Sequence, residues 1–232
     1  YENEISRSMQ KDCKGKQVWF TRLHETDNGA FLREDGMLCM AENGVVTPFL
    51  AQKDVKLRGL HNIENLLAAA AAVWGEVPVE AIQLVGSSFT GVEHRIEFVR
   101  EKDGVKFYND SIASSPSRTI AGLRSFSEKV ILIAGGYDKH IPYDVLGPEI
   151  AAHVKLLVCT GATGPKIAAA ARAVPDAPEV LEIPDFYEAV HAAAQQAKPG
   201  DIVLLSPASA AFDRFKNFMV RGAEFKKTVM AL

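Results

Sequence analysis

From Arg95 onward, short apolar runs alternate with amphipathic stretches, and that alternation leaves few folds open to the chain. Val130-Ile131-Leu132-Ile133 and Lys155-Leu156-Leu157-Val158 read as nearly continuous β-branched and leucine runs. Strands that are apolar on both faces belong to a parallel sheet covered by helices on each side. The pattern predicts strands over 96–100, 105–109, 130–134, 156–159, 179–182 and 202–205. It predicts helices over 117–125, 143–152, 164–173, 186–197 and 211–220, the last carrying Asp213, Arg214 and Lys216. Such alternation with short connections implies an α/β fold with a doubly wound, mostly parallel, Rossmann-like sheet. In these sheets ligands bind beyond the carboxyl ends of the strands, beside helix N-termini with free N–H groups.

The earlier part of the chain reads differently. Residues 16–23, 29–33, 36–41 and 44–50 are short β segments, expected to be antiparallel. Asp27-Asn28-Gly29, Asp35-Gly36 and Asn43-Gly44 are hairpin-type signals, because Asn and Gly tolerate the positive φ that tight turns need. A helix is predicted from Asn62 to Trp74, stopped by Gly75, and another over 79–84 behind Pro78. Ser87-Ser88-Phe89-Thr90-Gly91 reads as a linker, which divides the chain into residues 1–92 and 93–232.

With 47% hydrophobic and 24% charged residues, the composition is that of a soluble globular protein. A formal charge of −3, with no Lys/Arg run longer than two, gives nucleic-acid or acidic-membrane binding no electrostatic support. The apolar run from Leu66 to Trp74 is too short to span a bilayer, and no signal-peptide pattern precedes it. Cys13, Cys39 and Cys159 are odd in number and scattered, which suits a reducing cytoplasm without a disulfide framework or metal site. The opening Tyr1-Glu2-Asn3 lacks a methionine, and the chain is expected to be a piece of a longer one.

Five blocks stand where such a fold presents groups to a ligand. His61-Asn62-Ile63-Glu64-Asn65 opens the first long helix, where the amides either cap the helix or bind a purine edge. Gly91-Val92-Glu93-His94-Arg95 lies at the junction, and Arg95 either grips phosphate or pairs with Glu93 or Glu97. Asn109-Asp110-Ser111-Ile112-Ala113-Ser114-Ser115-Pro116 follows a strand and precedes a helix, so it either caps that helix or receives an anion, with Asp110 facing a ribose. Gly135-Gly136-Tyr137-Asp138-Lys139 is either a tight turn or a close backbone approach with a point positive charge at Lys139. Ser206 to Phe225 supplies a small-residue turn and the start of the last helix. Gly161-Ala162-Thr163-Gly164-Pro165-Lys166 reads as a structural turn, and His24, His140, His153 and His191 as ordinary surface or packing residues. A Walker A loop, a complete Gly-x-Gly-x-x-Gly after a strand and a serine elbow are all absent from the sequence.

In this order the blocks resemble the Mur ligase family, over a stretch from about Leu57 to the end. Residues 109–116, 135–139 and 206–225 are most similar to the member that adds D-glutamate. The resemblance implies that residues 1–92 are the tail of a central ATP-binding domain. It also implies that residues 93–232 are the C-terminal Rossmann-like domain that receives the amino acid. The implied reaction is amide formation in peptidoglycan synthesis: ATP phosphorylates UDP-N-acetylmuramoyl-L-alanine, and the D-glutamate amine displaces phosphate from the acyl phosphate. By the same resemblance Asn62, Asn65, Arg95 and Asp110 contact the nucleotide. Ser114, Lys139 and the Phe218 backbone N–H hold the D-glutamate carboxylates, with Lys139 as the catalytic charge. ATP and Mg²⁺ are the implied cofactors, and the metal ligands, the phosphate loop and the UDP-binding domain are expected upstream of Tyr1. The piece alone is then inactive.

Two positions depart from the family pattern. Ile112 stands where some members carry lysine, and Ala211 where a serine often contacts the glutamate side chain, so Ser209 or backbone N–H groups are expected to substitute. Two other readings stay open: a sister ligase for another amino acid or for folate, and a non-catalytic Rossmann-like binding module.

Overall fold

Asn43 and Gly44, at φ of 53° and 76°, close a tight hairpin between β3 (Met37–Glu42) and β4 (Val45–Ala51), as their sequence signal requires. The computed structural model describes residues 1–57 and 59–232, which form two units, Tyr1–Thr90 and Gly91–Leu232. In the first unit β1 (Trp19–Thr21), β2 (Gly29–Leu32), β3 and β4 make a four-stranded sheet in chain order. The β2–β3 and β3–β4 pairs are antiparallel, but β1 runs parallel to β2, with Trp19 opposite Gly29. Asp27-Asn28-Gly29 is therefore not a hairpin turn. Parallel neighbours need a return connection, which residues 22–28 provide. Gly29 is required at its own position, because an added Cβ would lie 2.1 Å from the Trp19 carbonyl oxygen.

Helix α1 (Glu4–Ser8), which the sequence pattern did not announce, is capped by the Asn3 side chain accepting from Ser6 N–H at 2.9 Å. Helix α2 (Leu60–Val73) buries Ile63, Leu67 and Ala70 at helical spacing against Leu38, Met40 and Phe49 of the sheet. Its cap is Gly59, at φ 90°, and Asn62 lies inside the first turn. Helix α3 (Val79–Ser88) runs four residues past its expected end. Ser87 and Ser88, whose hydroxyls turn back onto the Gln83 and Leu84 carbonyls, belong to this helix, so only Phe89, Thr90 and Gly91 of the expected linker are non-helical.

The second unit is the doubly wound sheet. Its strands are β5 (Glu97–Lys102), β6 (Val105–Asn109), β7 (Val130–Gly135), β8 (Val154–Thr160), β9 (Glu179–Glu182) and β10 (Ile202–Leu205). They lie in the order β5-β6-β10-β7-β8-β9, all parallel except the β5 edge, which folds back on β6 through Asp103 and Gly104 at positive φ. Alternate residues of each strand serve opposite faces. Leu132, Leu157 and Leu204 pack against α4 (Pro116–Leu123), α5 (Leu146–His153) and α6 (Gly164–Arg172). Ile131, Val158 and Val203 pack against α7 (Phe186–Gln196) and α8 (Phe218–Ala231). Each such buried aliphatic side chain contributes about 1.5–3 kcal/mol, which explains why β7 and β10, the two strands at the centre of the sheet, carry no polar side chain.

The last helix is displaced from its expected position. Residues 211–217 form a loop, so Asp213, Arg214 and Lys216 are not helical, and α8 starts at Phe218. Arg214 and Phe215 N–H groups both turn back to the Ala211 carbonyl. Asn217, in extended conformation, then caps the true helix by accepting from Val220 N–H at 3.0 Å. Among the described residues no helix is long and apolar enough to cross a membrane.

Candidate functional site

Because β10 is inserted between β6 and β7, its connection leaves for the α8 face while its two neighbours leave for the α4–α5 face. Diverging connections open a crevice at the carboxyl ends of those strands, the usual ligand position in doubly wound sheets. The three loops around it are tied together. Tyr137 N–H donates to the Ala210 carbonyl at 2.8 Å, and Gly135 N–H to the Pro207 carbonyl at 2.8 Å. The Ser111 hydroxyl donates to the Phe218 carbonyl at 2.8 Å. Gly136, at φ 150°, lets the β7 loop pass so close that a Cβ would lie 2.3 Å from the Ala210 oxygen.

Arg221 on α8 is the centre of this arrangement and was not among the residues read from the sequence. Its guanidinium is 2% exposed and donates to Ser111 Oγ (3.0 Å), Ser111 O (2.8 Å), Ser209 O (3.0 Å) and Ala210 O (3.0 Å). One planar fork thus joins the loop after β6 to the loop after β10. Burial pulls its pKa down to about 10. A cavity of about 630 Å³ lies beside it, walled by Gly136, Gly161, Asp185, Asp213 and Arg214. No pattern of charge or periodicity marks Arg221. Only its position one turn behind Asn217 and Phe218 aims it inward.

The expected amino-acid ligands lie on the connections after β6, β7 and β10, and none of them lines the cavity beside Arg221. Lys139 is exposed on the β7 loop and has no ion-pair partner among the described residues. Its neighbour Asp138 is already engaged, by Lys166 at 2.5 Å and by the His140 N–H at 2.8 Å. Ser114 is half-buried on the β6 loop, and its hydroxyl has no partner among the described residues. Phe218 opens α8, where first-turn N–H groups lack intrahelical acceptors. Ile112 is half-buried on the β6 loop. Ala211 is buried, and the expectation that the Ser209 hydroxyl substitutes for a serine there fails. That hydroxyl is 1% exposed and bonded to Tyr143 Oη (2.9 Å) and Thr163 Oγ1 (2.8 Å).

The expected nucleotide ligands divide between the units. Asn62 and Asn65 lie one turn apart on α2, joined by an Asn65 Nδ2 to Asn62 Oδ1 hydrogen bond of 3.1 Å. Arg95 is exposed just before β5. Asp110 is 3% exposed, and both carboxylate oxygens point inward: Oδ2 accepts from the Ser206 hydroxyl at 2.8 Å and Oδ1 from Ile96 N–H at 3.3 Å. Thr119 completes that buried group at 3.0 Å from Ser206 Oγ.

Burial raises the Asp110 pKa to about 7, against hydrogen bonds from Ser206 and Ile96 that lower it. The unfolded value is about 3.9, so folding favours the protonated acid. Stability from this group is complete below about pH 4 and is lost as pH rises through about 7. Asp110→Asn, which stays neutral, is expected to flatten the fall in melting temperature between pH 4 and 8 and to melt higher than the parent at pH 8. Thermal melts across that range check it; identical slopes would refute the buried-acid assignment.

Glu93, His94 and Glu97 bring ligand-type atoms within 4.8 Å of one another. The Lys226 ammonium already lies on both carboxylates, 3.0 Å from Glu97 Oε1, and fills the place of a cation. Burial holds the His94 imidazole below its ordinary range.

The fold is a Rossmann-like α/β domain, and the loops at its switch point carry a lysine without an ion-pair partner, a hydroxyl without a hydrogen-bond partner and the first turn of α8, among the described residues. The Mur ligase, glutamate ligase domain matches residues 94–209, half of the chain, and the chain belongs to that family. It is 50% identical to UDP-N-acetylmuramoylalanine–D-glutamate ligase of Acetivibrio thermocellus, across 100% of this chain and 51% of the relative. It is 48% identical to the enzyme of the same name from Clostridium novyi, across 98% of this chain and 50% of the relative. Among solved structures, MurF of Acinetobacter baumannii superposes with a TM-score of 0.66 at 17% identity, covering 97% of this chain and 50% of that one. That likeness concerns the fold. The chain spans about half the length of the curated relatives it matches.

Proposed function

We propose that this chain is the amino-acid-receiving half of a cytoplasmic, ATP-dependent ligase that joins D-glutamate to UDP-N-acetylmuramoyl-L-alanine. The observation that supports the reading is the β6-β10-β7 order, because the connections that follow these three neighbouring strands carry Ser114, Phe218 and Lys139 respectively. Lys139 supplies the point charge that a dianionic amino acid needs, and the α8 N-terminus supplies N–H donors for a carboxylate. Held there, the amine is positioned to attack an acyl phosphate and expel phosphate, with positioning and charge neutralisation providing most of the acceleration. Asn62, Asn65 and Arg95 serve the nucleotide. Asp110 reaches a ribose only by giving up its bond to Ser206.

The remaining parts lie outside these residues. The sequence has no glycine loop ending in Gly-Lys-Ser/Thr, and the acidic group at the junction is filled by Lys226. We assign the β,γ-phosphate cradle and the Mg²⁺ ligands to the half that the relatives possess in addition; bound there, Mg²⁺ neutralises phosphate charge. The full-length ligase is expected to release phosphate from ATP only when UDP-N-acetylmuramoyl-L-alanine and D-glutamate are both present. L-glutamate should not replace D-glutamate, and the 232-residue chain alone should release none. Equal turnover with L-glutamate, or turnover by the chain alone, would overturn the proposal.

Ala211→Ser tests the site further. A serine hydroxyl on the 211–217 loop adds one hydrogen bond of about 1 kcal/mol, so the KM for D-glutamate should fall roughly fivefold with kcat unchanged. Steady-state kinetics with varied D-glutamate measures it.

A further inference from the structure

Arg95 sits between two residues in the left-handed region, His94 at φ 66° and Ile96 at φ 47°. A β-branched residue there costs on the order of 1–3 kcal/mol and persists only when its surroundings impose it. Several contacts impose it here. His94 N–H donates to Glu97 Oε2 at 2.9 Å, the His94 carbonyl accepts from Ile112 N–H at 3.2 Å, and Ile96 N–H donates to Asp110 Oδ1 at 3.3 Å. The Asn109 amide donates to His94 Nδ1 at 2.9 Å and to Glu97 Oε2 at 3.0 Å, which leaves the imidazole proton on Nε2.

The other wall of this socket is α8. The His94 ring lies against Gly222, where an added Cβ would fall 2.2 Å from Nδ1 and 3.0 Å from Asn109 Nδ2. A glycine inside a helix is about 0.5–1 kcal/mol worse than alanine, and this one leaves room for the histidine. One turn further on the same face, Lys226 binds Glu93 and Glu97.

We propose that Gly222 and Lys226 of α8 are positioning residues for Arg95: the helix seats His94 and anchors the acids around it, and so holds the kinked segment that presents the guanidinium to an ATP phosphate. The proposal rests on the nucleotide role assigned to Arg95 above. Neither residue touches the reacting groups.

Gly222→Ala, Lys226→Met and Lys226→Arg in the full-length ligase test it. The first two are expected to raise the KM for ATP about tenfold, while kcat and the KM for D-glutamate stay within about twofold. Lys226→Arg is expected to restore the KM for ATP. Equal increases in both KM values, or an unchanged KM for ATP in Lys226→Met, would overturn the proposal. Amide hydrogen exchange on the 232-residue chain gives a readout that needs no catalysis. In Gly222→Ala and Lys226→Met the Ile96 N–H should exchange at least about tenfold faster, with the amides of β7 and β8 unchanged. An unmoved Ile96 rate means that α8 does not hold the kink. If the unmodified full-length protein makes no product with D-glutamate, the functional reading fails, and the exchange result decides the role of α8.

Discussion

Lys139→Ala is expected to raise the KM of the full-length ligase for D-glutamate by roughly 10- to 100-fold. A hydrogen bond to a charged group is worth about 1.5–3 kcal/mol, and each 1.4 kcal/mol is a factor of ten. Three cations on the neighbouring elements are already committed. Lys166 is committed to Asp138, Arg214 to Asp185, and Arg221 to loop carbonyls. Folding should be unaffected, since the Lys139 side chain is exposed and has no ion-pair partner among the described residues. Calorimetric titration of the parent and variant with D-glutamate, with L-glutamate as control, measures the effect. Undiminished D-glutamate affinity in the variant would remove Lys139 from the site.

Arg221→Met should be the most destabilising change in the crevice. Two effects oppose one another. Burial lowers the Arg221 pKa to about 10, so removing the charge recovers about 3 kcal/mol of desolvation. Against this, the four hydrogen bonds from the guanidinium, each worth about 1.5–3 kcal/mol, disappear and leave the buried Ser111 and Ser209 carbonyls without that donor, while Ala210 keeps the Tyr137 N–H. The losses exceed the recovery, and a net cost of at least about 3 kcal/mol follows. The second unit should then melt about 10 °C lower. Arg221→Lys should not repair it, because a single ammonium cannot span the Ser111 and Ser209–Ala210 carbonyls. The loops after β6 and β10 would separate as well, so D-glutamate affinity should fall together with the melting temperature. A melt within 2 °C of the parent would show that the clamp is dispensable.

The sheet of the second unit was legible in the chain because its signal is local. Val130-Ile131-Leu132-Ile133 has nowhere to go but the middle of a parallel sheet, and Gly135-Gly136 after it can only be a close turn. The block order likewise identified the family, and with it the loops that form the crevice. Failures came where the outcome depends on packing and chain path rather than on the local residues alone. Asp27-Asn28-Gly29 has the residues of a hairpin, yet β1 and β2 run parallel, because strand direction depends on the path of residues 22–28 and not on turn chemistry alone. The small residues before Asp213 suggested a helix start. The capping oxygen belongs to Asn217, and the choice between them depends on Phe225 and Val229 reaching the sheet.

The sequence by itself determined the α/β class of residues 93–232, the succession of strands and helices, and which loops would carry Ser114 and Lys139. These follow from hydrophobic periodicity and from the conformational limits of Gly, Asn and Pro, which act over a few residues. Only the tertiary structure decided that β10 lies between β6 and β7, that Asp110 is a buried acid, that the Ser209 hydroxyl is already taken, and that Arg221 and Gly222 face inward at the site. Each of these depends on contacts across roughly 45 to 130 positions of chain, where burial and hydrogen-bond satisfaction are set by the packed whole.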